Sequence, residues 1–215
     1  MISPSPVIPS LVSPALTLAD IPQPHSLKLG VLASGSGSNF GAIATAIEAQ
    51  ALNADIHCLI YNNPQAKVKE RAQERGVAAH LLNHRDYASR ETLDQAIVAT
   101  FQDYDVDWVI MAGWMRIVTP VLLQAYPQRV LNIHPSLLPS FRGVRAIEQA
   151  LAAGVKVTGC TVHYAALEVD SGPIIAQAVV PILPDDTPAS LHARVQAQEH
   201  HLFPLAIALA GQSPL

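Results

Sequence analysis

Apolar residues run from Leu27 to Ala33 with little polar interruption. A run of that length without strict alternation predicts a strand buried on both faces. Similar runs return at Asp55–Tyr61, Val77–Leu82, Trp108–Met111 and Val130–Ile133. Between them, an alanine-rich stretch at Asn39–Gln50 and a charged one at Lys67–Arg75, closed by Gly76, predict helices. Ser89–Phe101, with Glu91 near its start, predicts a third. Strands alternating with helices imply an α/β fold with a doubly wound, mostly parallel sheet. Lys156–Tyr164 and Gly172–Pro181 predict two more strands, an antiparallel addition near the C-terminus. Thr187–Leu209 predicts a long closing helix kinked at Pro204. No internal repeat is present, and residues 27–215 read as one domain.

The most informative motif sits where the Val130–Ile133 strand ends, in Asn132-Ile133-His134-Pro135-Ser136-Leu137-Leu138-Pro139. Positions two apart share a face of a strand, so Asn132 and His134 point the same way. Pro135 and Pro139 then stop regular structure. An amide and an imidazole therefore meet at the carboxyl end of a strand, where open α/β sheets bind ligands. The amide can steady a developing oxyanion and the histidine can move a proton near neutral pH. An aspartate arriving from Asp170-Ser171-Gly172-Pro173 could hold that histidine charged. These groups suit acyl-group transfer without a covalent enzyme intermediate.

Composition narrows the classes. The 215 residues are 50% hydrophobic and 14% charged, as expected of a globular domain with a sizeable core. A net charge of −4 argues against a broad nucleic-acid-binding face but leaves room for a local cationic pocket. Cys58 and Cys160 lie in apolar runs and are expected as buried free thiols, not a disulfide or zinc site. No apolar stretch is long enough to span a bilayer. The first 26 residues hold six prolines and no Lys or Arg. They make a poor signal or transit peptide and read as a disordered tail.

Ser34-Gly35-Ser36-Gly37-Ser38-Asn39 joins the first strand to the first helix. Backbone amides at a helix N-terminus form an anion site that glycine lets a phosphate approach closely. A dinucleotide fits less well. The third glycine is Gly41, one place late, and the second strand ends in Asn62-Asn63 in place of an acid that would hold a ribose. The Gly-Lys-Ser/Thr of a P-loop is absent, so a phosphate monoester fits best. His80 and His84 straddle a strand end, His200 and His201 face different ways on a helix, and His163 alternates with apolar neighbours. All read as packed or solvated, and no metal site is expected.

The order and spacing of Asn132–Pro139, Thr158-Gly159-Cys160-Thr161-Val162-His163-Tyr164 and Asp170–Ile175 resemble the folate-dependent formyltransferases. Three families share that core: glycinamide ribonucleotide formyltransferase, methionyl-tRNA formyltransferase and formyltetrahydrofolate deformylase. Gly37, Ser38 and Asn39 match the loop that holds the ribose phosphate in the first. The tRNA enzymes carry an additional C-terminal RNA-binding domain, whereas this chain stops at Leu215. The deformylases carry an N-terminal regulatory domain that 26 proline-rich residues would not form. Residues from about 28 to 209 therefore resemble the glycinamide ribonucleotide family.

The resemblance implies roles for particular residues. Asn132, His134 and Asp170 match the catalytic set. Gln196 and Glu199 match positions that hold the glycinamide part, beside Gly37, Ser38 and Asn39. Met115, Arg116, Ile117 and Val118 match the segment lining the folate's pterin pocket, where Asn132 also contributes. Arg90 matches an arginine that contacts the folate, and Ala166, Leu167, Glu168, Val169 and Asp170 match the loop closing over the pterin. One departure is visible. Family members commonly have Pro-Gly-x-His-Ala where this chain has Arg142-Gly143-Val144-Arg145-Ala146. Arg142-Gly143 resembles the tRNA enzymes, and Arg145 stands in place of a usual histidine.

The implied activity moves a formyl group from 10-formyltetrahydrofolate, the co-substrate, to the amine of glycinamide ribonucleotide in purine synthesis. No metal, nucleic acid or membrane is implied. The expected setting is the cytoplasm, and the expected state a monomer or homodimer. The alternatives are a hydrolase releasing formate from the same folate and a non-catalytic folate- or nucleotide-binding protein.

Overall fold

The computed structural model describes residues 11–212. A short strand β1 (Val12–Ser13) and a 3-10 turn precede the repeating core. The core runs β2 (Leu27–Ala33), α1 (Ser38–Glu48), β3 (Ala54–Tyr61), α2 (Val68–Glu74), β4 (Ala78–Leu81), α3 (Arg90–Asp103) and β5 (Trp108–Met111). It continues through α4 (Pro120–Ala125), β6 (Val130–His134), α5 (Ala146–Ala153), β7 (Val157–Tyr164), β8 (Ile174–Pro181) and α6 (Pro188–Ala210).

The eight strands form one sheet in the order β1-β8-β7-β6-β5-β2-β3-β4. Strands β2 to β6 are mutually parallel, and β7, β8 and β1 add antiparallel. The chain winds outward from β2 to β3 and β4, then resumes on the other side at β5. The reversal lies between β2 and β5, and the crevice at their carboxyl ends is where such sheets take ligands.

One face of the sheet packs Phe40, Ile43, Val195, Leu202 and Phe203 into a core beneath α1 and α6. The other packs Leu93, Ile97, Phe101 and Leu122 beneath α3 and α4. β2 is buried on both sides, which is why its sequence shows no polar alternation. Gly30 in β2 lies under the Phe101 ring, and a Cβ there would stand 2.6 Å from it. Caps match the sequence at the long helices. Ser89 accepts from the Thr92 amide while Thr92 accepts from that of Ser89, and Thr187 with Ser190 repeats the arrangement at α6. Pro204 sits inside α6, buried in the core, and the helix continues through it to Ala210. The two helices left unassigned by the sequence, α4 and α5, span only six and eight residues, too short for a clear period.

The disordered tail expected over residues 1–26 is corrected for residues 11–26; its first ten lie outside the described residues. Val12 and Ser13 pair with Ala178 and Gln177 of β8. Ile21 is 5% exposed within the core. The Gln23 side chain accepts from the Asn53 amide and donates to the Ala51 carbonyl. The prolines exclude helix but permit this edge pairing. Burying one Ile is worth about 1.5–3 kcal/mol. At about 2–4 °C per kcal/mol for a chain of this size, deleting residues 1–25 is expected to lower Tm by roughly 5 °C or more. Calorimetry of the truncated chain checks this; an unchanged Tm would show that the arm contributes nothing.

Cys58 and Cys160 are free and buried. Burial pushes the Cys58 thiol up to about 12 and that of Cys160 higher still, so neither is poised as a nucleophile. No described helix is long and apolar enough to cross a membrane.

Candidate active site

Asn132 and His134 emerge on one face at the end of β6, as their two-residue spacing requires. Antiparallel β7 sets His163 opposite Asn132 and Thr161 opposite His134. Asp170 arrives from the loop between β7 and β8. Its φ of 54° lies in the left-handed region, which Asp tolerates better than most residues. Asp170 Oδ2 stands 3.2 Å from His134 Nδ1 and accepts the Gly143 amide at 2.8 Å. The other His134 nitrogen, Nε2, donates to the Phe141 carbonyl at 2.8 Å. Both ring nitrogens thus face acceptors, an arrangement completed only with a proton on each. Both side chains are nearly buried, where a charge needs its partner.

Asn132 is oriented by His163. The His163 ring donates from Nδ1 to the Tyr164 carbonyl at 2.8 Å and presents its Nε2 to Asn132. Asn132 Nδ2 lies 3.1 Å from that nitrogen and 3.5 Å from Asp170 Oδ1. The amide nitrogen is thereby aimed at the carboxylate side of the site. Burial pushes the Asp170 carboxyl up, but nearby His163, the Gly143 amide and the His134 charge outweigh it, and the net direction is down. The ionised carboxylate therefore contributes stability above the ordinary value of 3.8 that is lost as pH falls through its depressed folded value.

A cavity opens beside this cluster. Asn132, His163 and Asp170 form its polar end, and Met111, Trp114, Ile117, Val118, Ala165 and Val169 line its apolar walls. Arg116 and Ala166 complete it. The buried Nε1 of Trp114 and Nε of Arg116 have no hydrogen-bond partner among the described residues. An apolar cavity with a polar end, lined by residues that carry unspent donors, suits a heteroaromatic ring system with polar edges.

The expected folate segment is thus divided. Arg116, Ile117, Val118, Asn132, Ala166, Val169 and Asp170 line the cavity. Met115 does not; its side chain is 77% exposed, and its backbone N–H bonds Ser34 Oγ at 2.8 Å. Leu167, 62% exposed, and Glu168 lie outside the wall. Arg90 is exposed at the first turn of α3, also outside it. The divergent loop has its own logic. Arg142 pairs with Glu168 at 3.0 Å, tying the loop that carries Phe141 and Gly143 to the loop that carries Asp170. Arg145 pairs with Glu148, at 3.6 Å on the surface.

The glycine turn expected to hold a phosphate closes the other side of the crevice. Gly37, at φ 73°, caps α1. Gln196 Nε2 donates to Ser38 Oγ at 3.0 Å, and Asn39 Nδ2 to Glu199 Oε2 at 2.9 Å. The turn is bound to the cavity segment through Ser34, whose amide donates to the Gly113 carbonyl at 3.1 Å. All five residues expected around the glycinamide ribonucleotide therefore gather in one place.

Glu199 is not the solvated charge that a helical glutamate usually is. Burial pushes its carboxyl up, only partly offset by Asn39. Its folded value is raised, so its stabilising contribution is full below 4.5 and is lost as pH rises through the folded value. Glu199→Gln keeps an acceptor for Asn39 and cannot ionise. The variant is expected to melt a few degrees above the wild-type chain at pH 7.5, with the gap closing near pH 4. A gap independent of pH would show that the carboxyl is not the cause.

The sequence presents His163 as a packed histidine alternating with apolar neighbours in a strand. It is 1% exposed, as a core histidine would be, yet it lines the cavity and orients Asn132. Only the cross-strand register reveals this. Among the described residues, no three His, Cys, Asp or Glu side chains gather as metal ligands.

Comparison with known proteins fits this geometry. The sequence model described as formyl transferase matches residues 27–207. The chain belongs to the formyl transferase family. This formyl transferase is 41% identical to the phosphoribosylglycinamide formyltransferase of Bacillus subtilis (strain 168), over 84% of its own length and 92% of that protein's. It is 42% identical to the human trifunctional purine biosynthetic protein adenosine-3 over 86% of its length, but spans only 18% of that larger protein. Among solved structures, glycinamide ribonucleotide transformylase 1 from Symbiobacterium toebii superposes with a TM-score of 0.86 at 45% identity, covering 88% of this chain and 90% of that one.

Proposed function

We propose that this formyl transferase carries the formyl group of 10-formyltetrahydrofolate to the amine of glycinamide ribonucleotide, a step of purine synthesis in the cytoplasm. What supports this reading is that two groups of the expected residues gather at the carboxyl ends of β2 and β6 in one sheet. Half-buried Asn132 with buried His134 and Asp170 stands beside an apolar cavity, and a glycine turn with Gln196 and Glu199 stands across the crevice. Residues 27–215 act as one catalytic domain on small-molecule substrates.

The folate, when bound, supplies the formyl group. Trp114, Ile117, Val118 and Val169 enclose its ring system and exclude water. Asn132, aimed by His163, donates to the oxygen on which negative charge grows as the amine attacks. Asp170 takes up the proton released by the amine, directly or through water. His134 supplies the counter-charge at 3.2 Å and returns a proton towards the leaving nitrogen. Gly37, Ser38 and Asn39 hold the substrate's phosphate, and Gln196 and Glu199 its glycinamide end. Two substrates held at fixed spacing turn a bimolecular encounter into an intramolecular one.

The test follows loss of 10-formyltetrahydrofolate with and without glycinamide ribonucleotide. Turnover that requires the amine supports transfer. Turnover that proceeds equally without it would identify a hydrolase and overturn the proposal.

A further inference from the structure

The phosphate turn is shaped by a residue outside its own motif. Gly35 and Ser36 direct their carbonyls at α2: the Val68 amide donates to Gly35 at 3.2 Å, and Arg71 Nε donates to Ser36 at 2.8 Å. A trans peptide is planar, with its C=O and N–H pointing in opposite directions. Drawing the Ser36 carbonyl to Arg71 therefore turns the Gly37 N–H away from α2. The helix itself orients the next two amides. The Gly37 carbonyl accepts the Gly41 amide at 2.9 Å, so α1 begins there and the Ser38 and Asn39 amides project from its end. Gly37 N–H is thus the one amide of the three whose direction depends on a side chain. Arg71 also borders, with Ser38 and His200, the groove that leads onto the turn. Its Nη1 stands 3.5 Å from where a Cβ on Gly41 would lie.

We infer that Arg71 is a positioning residue for the substrate phosphate: its bond to the Ser36 carbonyl sets the Gly37 amide towards the anion. The inference rests on the phosphate role given to the turn above. Its ligand class is a phosphate monoester, and Arg71 has no part in binding the folate, whose cavity lies across the crevice.

Two measurements test it. In steady-state kinetics, Arg71→Met is expected to raise KM for glycinamide ribonucleotide about tenfold, leaving kcat and the folate KM within about twofold of wild type. Arg71→Lys, which keeps a donor on a differently shaped head, is expected to recover part of that loss. Arg71 is exposed on α2, so Tm should hold. In calorimetry, ribose 5-phosphate, which has the monoester but no amine, is expected to bind wild type and to bind Arg71→Met about tenfold more weakly. An unchanged nucleotide KM in Arg71→Met, or an equal rise in both KM values, would overturn the inference. So would failure of ribose 5-phosphate to bind wild type. Amine-independent folate turnover would instead strike the transfer reaction, and calorimetry with ribose 5-phosphate reads Arg71 independently of it.

Discussion

Asp170→Asn is expected to lower kcat by about two to four orders of magnitude, the usual worth of a positioned acid–base group, while folate KM moves only a few-fold. The geometry gives the reason. Asp170 uses Oδ2 for the Gly143 amide and His134, and presents Oδ1 to Asn132 and His163. Asparagine has one oxygen. If that oxygen keeps Gly143 and His134, the new NH2 confronts the Asn132 amide; if it turns the other way, the NH2 confronts the imidazolium. Either arrangement sets donor against donor. It also leaves the buried His134 charge without its counter-ion, an imbalance costly in a dry site. The apolar cavity walls are untouched, so binding should survive. Steady-state kinetics with each substrate varied in turn checks the split. A variant with near-normal kcat would remove Asp170 from the chemistry.

The second large effect belongs to Gly37. Its φ of 73° lies in the left-handed region, which costs a residue with a Cβ about 1–2 kcal/mol. A Cβ would also stand 2.4 Å from Val68 Cγ2 and 3.0 Å from Val68 Cα. Val68 is the residue whose amide holds Gly35, so the turn has no slack on that side. Gly37→Val is expected to push the turn outward, raise nucleotide KM more than tenfold and lower Tm by several degrees. Affinity for a folate analogue, measured by titration calorimetry on the folded fraction, should remain nearly wild type. Equal losses for both ligands would mean that the substitution simply unfolds the domain.

Much of this was legible in the sequence because it is local. The apolar runs of β2, β5 and β6 announce buried parallel strands. The parity of Asn132 and His134 places them on one face without any knowledge of neighbours. The glycine turn is recognisable by its position between a strand and a helix, which the structure keeps. What stayed hidden depends on tertiary register. His163 looks like any histidine among apolar neighbours until β7 pairs with β6 and sets it opposite Asn132. Phe141 and Gly143 act through backbone atoms, whose roles no side-chain motif announces. Arg71 lies on a helix of ordinary charged composition. The arm before β2 was misread because proline-rich composition resembles disorder, whereas two residues of edge pairing and one buried isoleucine suffice to fix it.

The central claim is that His134 and Asp170 act as one unit. It is tested most directly by kcat for the wild-type chain, Asp170→Asn, His134→Ala and the double variant, measured with both substrates saturating. Groups that work together lose their joint effect once. If each single variant loses about a thousandfold, the double variant is expected to fall little further, far short of the roughly millionfold product. Losses that multiply would contradict the account and leave the 3.2 Å pair a structural contact.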